Sequence, residues 1–410
     1  PPPTRHGVRR QRQMCIRDSV EVVSATATNT TVRDRVPVGI GEFDRVLGGG
    51  IVPGAGILLG GEPGVGKSTL LLQVADSLAS EVGSVLIATA EESTHQVQMR
   101  ARRVGVSTDG VDIASVYEVE DIIALAADRH PGALIVDSIQ TVSSLEVGGS
   151  AGGMSQVRES AARLIAHAKK TGMPVVLVGH VTKDGSIAGP RTLEHMVDVV
   201  LYLEGEVDHG LRFLRGMKNR YGSVNEIGVF EMTQEGLAEV HDPSGVLVSA
   251  RNEDAPGTVL FPTVEGKRPM MVEIQALTVP TRAEQPRRSV TGVPSARLHQ
   301  VLGVIERHAG IPLSSFDVYV TVMGGIKLSE PGADLPMALA IVSAYGDVPL
   351  RRTVAWGELG LTGEIRPVTR QALRRSESER IAASPILAPD GGAQLLFEVL
   401  IECGLGSAVR

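Results

Sequence analysis

The sequence predicts an α/β protein, with a mainly parallel sheet in its first part and a smaller α/β domain after it. Short β-branched runs flanked by Gly or Pro alternate with helical patterns from residue 37 onward, as in sheets buried on both faces. The chain has 410 residues, enough for two or three domains of about 150 residues. Hydrophobic residues make up 42% and charged residues 21%, so most of the chain is expected to fold.

The first domain is predicted to span residues 34–245. Its core strands are AGILLG, SVLIATA, ALIVDS and PVVLVGH, and its helices cover residues 67–79, 94–103, 121–129 and 154–170. We expect SVLIATA to lie beside AGILLG in the sheet. The runs VDVVLYLEG, LRFLRGMKN and EIGVFEM follow at short spacing, which predicts antiparallel strands at one edge.

The second domain is predicted to span residues 255–410. Strands are expected at VLFPTVEG, MMVEIQALTV and FDVYVTV, and helices at residues 296–308 and 334–345. The run TRAEQPRRSVTGVP lacks periodicity and is predicted to be a loop. Residues 1–33 also lack periodicity, which predicts a disordered or non-native leader, and we expect the chain beyond about residue 375 to be irregular.

Charge and cysteine content exclude several classes of protein. Lys and Arg number 40 against 47 Asp and Glu, a net charge of −7, which excludes a uniformly basic nucleic-acid coat but not a local basic channel. Cys15 and Cys403 are the two cysteines; their separation excludes a disulfide framework and favours a cytoplasmic location. No run of 18 apolar residues occurs, so we expect no membrane span.

A phosphate-binding loop follows the strand AGILLG. Residues 61–68 read GEPGVGKS and match G-x-x-x-x-G-K-[ST] at every fixed position. The glycines let backbone N–H groups turn towards a phosphate, and the helix N-terminus adds donors. Lys67 is expected to reach the β- and γ-phosphates, and Ser68 to hold Mg²⁺. The expected cofactors are therefore ATP and Mg²⁺, with nucleotide contacts from Gly61, Glu62, Pro63, Gly64, Val65, Gly66, Lys67, Ser68 and Thr69.

Side chains at the ends of three other strands complete the predicted site. Asp137 ends ALIVDS, at the sheet edge where such folds bind ligands, and is predicted to bind Mg²⁺. Hydrolysis needs a carboxylate that orients or activates the attacking water. Glu91 is our first candidate for this role, and Glu92 is the second. The structural alternative is that the two residues form a solvated acidic pair that caps the next helix. His180 ends PVVLVGH and is either a γ-phosphate sensor or a structural histidine.

These residues resemble the bacterial RadA/Sms family of recombination proteins. The resemblance rests on the phosphate-loop region, AEES, LIVDSIQT, GHVTKDGSIAGPRTLEHMVD and KNRYG, and covers residues 36–375. It implies a RecA-like ATPase in homo-hexameric rings that acts on single-stranded and branched DNA, drives branch migration in recombinational repair, and has a recombinase filament as a candidate partner. GELGLTGEIRPV resembles the family's Lon-protease-like domain. The family's four-cysteine zinc finger has no CxxC counterpart here, so no zinc is expected.

The resemblance also implies roles for several cations. Loops over residues 145–155 and 181–194 would face the ring pore, with Lys183 and Arg191 on DNA phosphates; ordinary flexible loops are the alternative. Lys218 and Arg220 are expected to act on the ATP of a neighbouring subunit, and a local ion pair with Glu226 or Glu231 is the alternative. The Pro/Arg-rich run contains three further candidates for DNA binding: Arg282, Arg287 and Arg288. The alternative is that they belong to a solvated, flexible surface loop.

Two other functions stay open at this stage. An ATP-dependent Lon-type protease needs a serine activated by a lysine, but Ala333 and Asp334 stand where the nucleophile belongs, and Ser329 and Lys327 lie upstream. The C-terminal domain is therefore predicted to be catalytically inactive. A RecA-like signalling ATPase without DNA work shares the same phosphate loop.

Overall fold

A nine-stranded sheet organises the first part of the chain. The computed structural model describes residues 35–180, 193–205, 210–249, 251–389 and 394–408. The strand order is β3-β2-β4-β5-β1-β6-β7-β8-β9; the six strands from β3 to β6 are parallel and the rest antiparallel. The strands are β1 (Gly56–Gly61), β2 (Val85–Thr89), β3 (Val111–Ser115), β4 (Ala133–Asp137), β5 (Val175–His180), β6 (Val199–Glu204), β7 (Leu211–Asn219), β8 (Ile227–Met232) and β9 (Leu237–Glu239). The predicted α/β class is confirmed.

Helices cover both faces of this sheet. They are α1 (Gly41–Leu47), α2 (Lys67–Val82), α3 (Thr94–Arg103), α4 (Val119–Arg129) and α5 (Met154–Thr171). Ile57 and Leu59 of β1 belong to the core cluster with α1, α2 and α3, whereas Leu58 belongs to the cluster with α4 and α5. Because successive side chains of a strand point to opposite faces, both faces of β1 are buried, which explains its continuous apolar run.

The order of the strands corrects one prediction. SVLIATA, which is β2, lies between β3 and β4, so β4 and β5 separate it from β1. Crossover helices let a parallel strand skip positions, and an apolar run identifies a buried strand without identifying its neighbours. Strand β3 was not predicted, because it is an edge strand of the sheet and its residues are partly buried or exposed.

The second part of the chain contains a six-stranded and a three-stranded sheet. The first has the order β12-β13-β11-β10-β14-β17 and the second β15-β16-β18. The strands are β10 (Thr258–Glu265), β11 (Arg268–Pro280), β12 (Arg288–Thr291), β13 (Phe316–Val322), β14 (Val354–Ala355), β15 (Glu358–Leu359), β16 (Glu364–Arg366), β17 (Ile386–Leu387) and β18 (Gln394–Leu395). The helices are α6 (Pro243–Val248), α7 (Ser295–Val304), α8 (Asp334–Gly346), α9 (Gln371–Arg380) and α10 (Leu396–Glu402).

Strand β12 corrects a second prediction, because it lies within the run predicted as a loop. It pairs in parallel with β13 at the edge of its sheet. Its residues alternate between partly buried and exposed, and four residues are too few for that alternation to stand out beside Pro and Arg. The Arg287 N–H donates to the Asp317 carboxylate at 2.7 Å and holds the start of the strand.

The β10–β11 hairpin connects the two parts of the chain. Glu265, at the end of β10, accepts from Arg215 of β7 at 2.5 Å, and Arg268, at the start of β11, pairs with the buried Glu42 of α1. Gly266 has φ +60°, and a Cβ there would lie 1.9 Å from the Asn225 carbonyl oxygen. The turn therefore requires glycine on two counts: backbone conformation and close approach.

Candidate functional site

The phosphate loop has the backbone conformation that anion binding requires. Gly64 and Gly66 have φ of +79° and +113°, and a Cβ on Gly66 would lie 2.7 Å from Met232 Cε. Helix α2 begins at Lys67, so the first N–H groups of the helix lack intrahelical acceptors and face the loop. Arg212 Nε of β7 donates to the Val65 carbonyl oxygen at 3.1 Å, and this hydrogen bond connects the loop to β7.

Lys67 lies at the centre of this loop. Its side chain is 4% exposed, and Nζ donates to the carbonyl oxygens of Gly61 at 2.9 Å and Glu62 at 3.0 Å. Burial lowers the pKa of Lys67, an effect that the nearby Asp137 and Glu91 carboxylates oppose. The lysine is thus a buried cation held by acceptors of the loop itself, and a phosphate would provide a stronger partner.

A cavity of about 370 Å³ opens above the loop. The carboxyl ends of parallel strands share one edge of the sheet, so residues from β2, β4 and β5 reach this cavity although β2 is not next to β1. Its polar lining includes Lys67, Ser68, Thr89, Glu91, Asp137 and His180. The structure therefore brings five of the predicted site residues together in one cavity: Lys67, Ser68, Glu91, Asp137 and His180.

Asp137 and Ser68 fit a magnesium ion held jointly with phosphate. Burial raises the pKa of Asp137, the hydrogen bond from Ser68 opposes that rise, and Glu91 adds to it. A divalent cation would relieve this cost, and Mg²⁺ is commonly bound through one or two carboxylates plus phosphate oxygens and water. Within the described ranges, no group of three or more His, Cys, Asp or Glu could hold a metal unaided.

Glu91 and Glu92 have different surroundings. Glu91 Oε2 lies 3.2 Å from His180 Nε2, whereas Glu92 Oε1 accepts from Arg100 Nη2 of α3 at 2.7 Å. The N-cap of α3 is Ser93, which forms a capping box with Gln96. The helix-capping alternative for the acidic pair is therefore wrong, and the geometry favours Glu91 over Glu92 for the attacking water.

The structure adds two cavity residues that sequence reasoning missed. Arg100 and Arg103 of α3 also line the cavity. They are spaced by three residues and share one helix face. This basic spacing, on the helix that follows the acidic pair, was the available signal.

Lys218 and Arg220 lie at the opposite edge of the sheet from the phosphate loop. Lys218 pairs with Val200 near the start of β6, and Val200 lies about 10 Å along the strand, at roughly 3.3 Å per residue, from Leu203 beside the loop. Its Nζ donates to the carbonyl oxygens of Glu194 at 2.7 Å and Val197 at 2.8 Å. Arg220 lies just beyond the end of β7, because the chain turns after Asn219.

The predicted local alternative for these cations named the wrong partners. Arg220 Nη1 lies 3.3 Å from Asp198 Oδ1. Glu226 instead pairs with Lys267 at 3.2 Å, and Glu231 lies at the opposite end of β7, where it pairs with Leu211. The start of β6 supplies the acidic group because the turn after β7 folds back over it.

The DNA-binding candidates fall into three groups. Lys183 and Arg191 lie outside the described residues. Arg282 and Arg287 are exposed. The Arg288 guanidinium donates to the carbonyl oxygens of Phe316 and Leu313, so it uses part of its hydrogen-bonding capacity within the protein.

The glycine-rich loop over residues 145–155 is anchored by the buried Gln156. The side chain accepts from the Ser144 N–H at 2.7 Å and donates to the carbonyl oxygens of Ser144 and Val147. Leu145 is 71% exposed, so the loop presents its outer surface to solvent.

The strand order, the phosphate loop and the strand-terminal carboxylate define a RecA-like P-loop ATPase. No helix in the described part of the chain is long and apolar enough to cross a membrane. A family model described as an AAA domain matches residues 27–186, which include the phosphate loop and Asp137.

Comparison with curated proteins shows the family. The DNA repair protein RadA of Pseudomonas aeruginosa is 46% identical over 360 residues, which cover 88% of this chain and 79% of the relative. The chain is also similar to the RadA protein of Bacillus subtilis, which is 45% identical over 89% of this chain and 80% of the relative. The RadA protein of Escherichia coli is 47% identical over 84% of this chain and 75% of the relative. The chain belongs to the bacterial RadA family.

Proposed function

We propose that this chain is a DNA-stimulated ATPase motor of recombinational DNA repair. It would work in the cytoplasm as a homo-hexameric ring that drives branch migration on single-stranded and branched DNA, with a recombinase filament as a candidate partner. The observation that carries the proposal is the 3.2 Å contact between Glu91 and His180. His180 is the last residue of β5 and directly precedes the predicted DNA-binding loop, so one contact joins the hydrolytic carboxylate to that loop.

A second contact supports the same coupling. Gln140 Nε2, just beyond β4, donates to the His180 carbonyl oxygen at 3.4 Å. The glycine-rich loop follows this segment of the chain and packs against it: a Cβ on Gly152 would lie 3.4 Å from the Gln140 carbonyl oxygen. A shift of His180 would therefore reach both predicted pore loops.

Each residue of the cis site has a distinct part in hydrolysis. Lys67 and the loop N–H groups hold the β- and γ-phosphates and oppose the charge that develops on transfer. Ser68 and Asp137 would hold Mg²⁺, which neutralises phosphate charge when bound. Glu91 orients the attacking water, and His180 responds to the γ-phosphate. Lys218 and Arg220 lie too far from this site and serve the nucleotide of the next subunit.

We further propose that residues 34–245 form the ATPase domain and residues 255–410 an inactive Lon-protease-like domain that assembles the ring. Asp334, at the start of α8, supports this: its carboxylate pairs with Arg297 and accepts from the Leu359 N–H at 3.1 Å. The helix start where a nucleophile would be needed is thus occupied by a structural ion pair.

An ATPase assay with single-stranded DNA, forked DNA or no DNA, at two salt concentrations, tests the proposed function. We expect DNA to stimulate hydrolysis, with a stimulation that weakens steeply as salt rises, because phosphate contacts release counterions. Lys67→Ala is the control for contaminating ATPase. Equal rates with and without DNA would contradict the motor and favour a signalling ATPase.

A further inference from the structure

Two cationic side chains flank one buried carboxylate at the amino ends of the parallel strands, opposite the phosphate loop. Asp198, just before β6, is 3% exposed, and its Oδ2 accepts from the Gly56 N–H at 3.1 Å, where β1 begins. Its Oδ1 lies 3.3 Å from Arg220 Nη1 and 3.8 Å from Lys169 Nζ of α5. One carboxylate, fixed to a central strand, thus holds groups from two elements.

An irregularity in β7 adds Lys218 to this cluster. Val200 of β6 pairs with Lys218 and the next residue, Leu201, pairs with Gly216, so Met217 is an extra residue. Bulges of this kind redirect the side chains that follow them and are common next to active sites. Lys218 uses two of its three N–H donors on backbone carbonyls, which leaves one for an external acceptor.

The cluster carries excess positive charge and faces outward. The side chains of Lys169 and Arg220 are 53% and 52% exposed. Glu194 lies near Lys218 but accepts from the Tyr202 hydroxyl at 3.2 Å. Counting three cations against Asp198 and Glu194 gives 3 − 2, a net charge of +1. Burial lowers the pKa of Lys218 and the neighbouring Arg220 lowers it further, whereas Asp198 and Glu194 oppose these effects.

We propose that Lys169 joins Lys218 and Arg220 in stabilising the charge that develops during hydrolysis on the triphosphate of a nucleotide held by a second copy of this chain, and that Asp198 positions Lys169 and Arg220 for it. The inference rests on the proposed function. The chain's own phosphate loop begins about 10 Å away from Lys218 along the strands, at roughly 3.3 Å per residue, and at the opposite end of β1, so the anion comes from another subunit. The competing role for Lys169 is a purely local one, since a cation in the last turn of a helix stabilises that helix.

The test uses full-length chains with Lys169→Gln, Lys169→Arg and Asp198→Asn. Lys170→Gln is the matched control for the lysine, because Lys170 is the exposed neighbour in the same turn. Glu226→Gln is the control for the carboxylate, because Glu226 pairs with Lys267 and not with a cation of the cluster. We expect Lys169→Gln to lower kcat about tenfold, the loss of one charge-assisted hydrogen bond, with Lys169→Arg near wild type. Asp198→Asn should lower kcat up to about 10²-fold, the cost of misplaced groups.

Mixed rings separate a role in trans from a structural one. When Lys169→Gln or Asp198→Asn subunits are mixed with Lys67→Ala subunits, we expect ATPase to recover, because intact phosphate loops meet intact cation clusters. Affinity for a fluorescent ATP analogue in each unmixed variant should stay within about twofold. Loss of kcat without recovery in mixed rings, or equal loss in Lys170→Gln, would overturn the inference while the ATPase proposal stands. A wild-type chain without ATPase activity would overturn both.

Discussion

At the residue scale, the surroundings of two adjacent carboxylates assign them different roles. Glu91 contacts His180, and Glu92 pairs with Arg100. We predict that Glu91→Gln binds ATP normally and hydrolyses it roughly 10²-fold more slowly, while Glu92→Gln loses less than about threefold. Lys67→Ala should fold and show no turnover. Steady-state ATPase and nucleotide titration measure all three, and a slow Glu92→Gln beside a normal Glu91→Gln would reverse the assignment.

The raised pKa of Asp137 predicts that this carboxylate lowers the stability of the ligand-free protein at neutral pH and is retained for metal binding. Because the folded state holds the Asp137 proton more tightly than the unfolded state, its contribution to the free energy of unfolding falls as pH rises from the ordinary carboxyl range through the raised pKa. At neutral pH the buried charge therefore costs stability. Asp137→Asn should raise the Tm of the nucleotide-free protein at pH 7 by roughly 1–2 °C and abolish the further rise that Mg²⁺ and ATP give together.

Thermal unfolding at pH 5 and pH 7, with and without Mg²⁺ and ATP, tests this prediction. Asp112→Asn is the control, because Asp112 is exposed on the edge strand β3. A Tm for Asp137→Asn that is lower than wild type at pH 7 without ligand would contradict the account.

At the scale of elements, the β10–β11 hairpin joins the two parts of the chain through a buried ion pair. Arg268→Ala leaves Glu42, whose side chain is 1% exposed, with the Val229 N–H as a remaining donor at 2.9 Å. We predict a loss of about 3 kcal/mol in the free energy of unfolding. Lys267→Ala, which removes the more exposed pair with Glu226, should cost less than about 1 kcal/mol. Equal losses in urea unfolding would show that the buried pair does not join the two parts.

The segment before β12 separates two kinds of arginine. Arg288 is held by backbone carbonyls, whereas Arg282 and Arg287 are exposed. We predict that replacing Arg282 and Arg287 by Ala lowers the slope of log binding constant against log salt for single-stranded DNA by about 1–2. Arg288→Ala should instead lower the Tm. An unchanged salt slope in the double variant would remove this segment from the DNA-binding surface.

The sequence predicted which segments form strands and helices better than it predicted which strands lie next to one another in the sheet. Buried strands such as β1 and β4 have continuous apolar runs, and a strand-terminal position is enough to bring Asp137 to the phosphate loop. The place of β2 could not be predicted, because strand order depends on how crossover helices pack. The Asp198–Arg220 pair was likewise beyond prediction, since it depends on a turn and on one extra residue in β7.

At the scale of the whole molecule, one sheet has the predicted nucleotide site at the carboxyl ends of its parallel strands and the cation cluster at their amino ends. Strands β1 and β6 connect the two: Gly61 pairs with Leu203 beside the phosphate loop, and Ile57 pairs with Val199 beside the cluster. Both faces of β1 are buried, so the spacing between the two sites is fixed by the core. We propose that, in a ring of identical subunits, each cluster meets the next subunit's nucleotide.

The ATPase activity of mixed rings tests this central claim most directly. Arg220→Ala and Lys67→Ala subunits, each inactive alone, are combined in equal amounts and shown to form mixed rings. We predict recovery of about a quarter of the wild-type rate, because a site works where a subunit with Lys67 meets a neighbour with Arg220. Mixed rings that stay inactive would contradict the account.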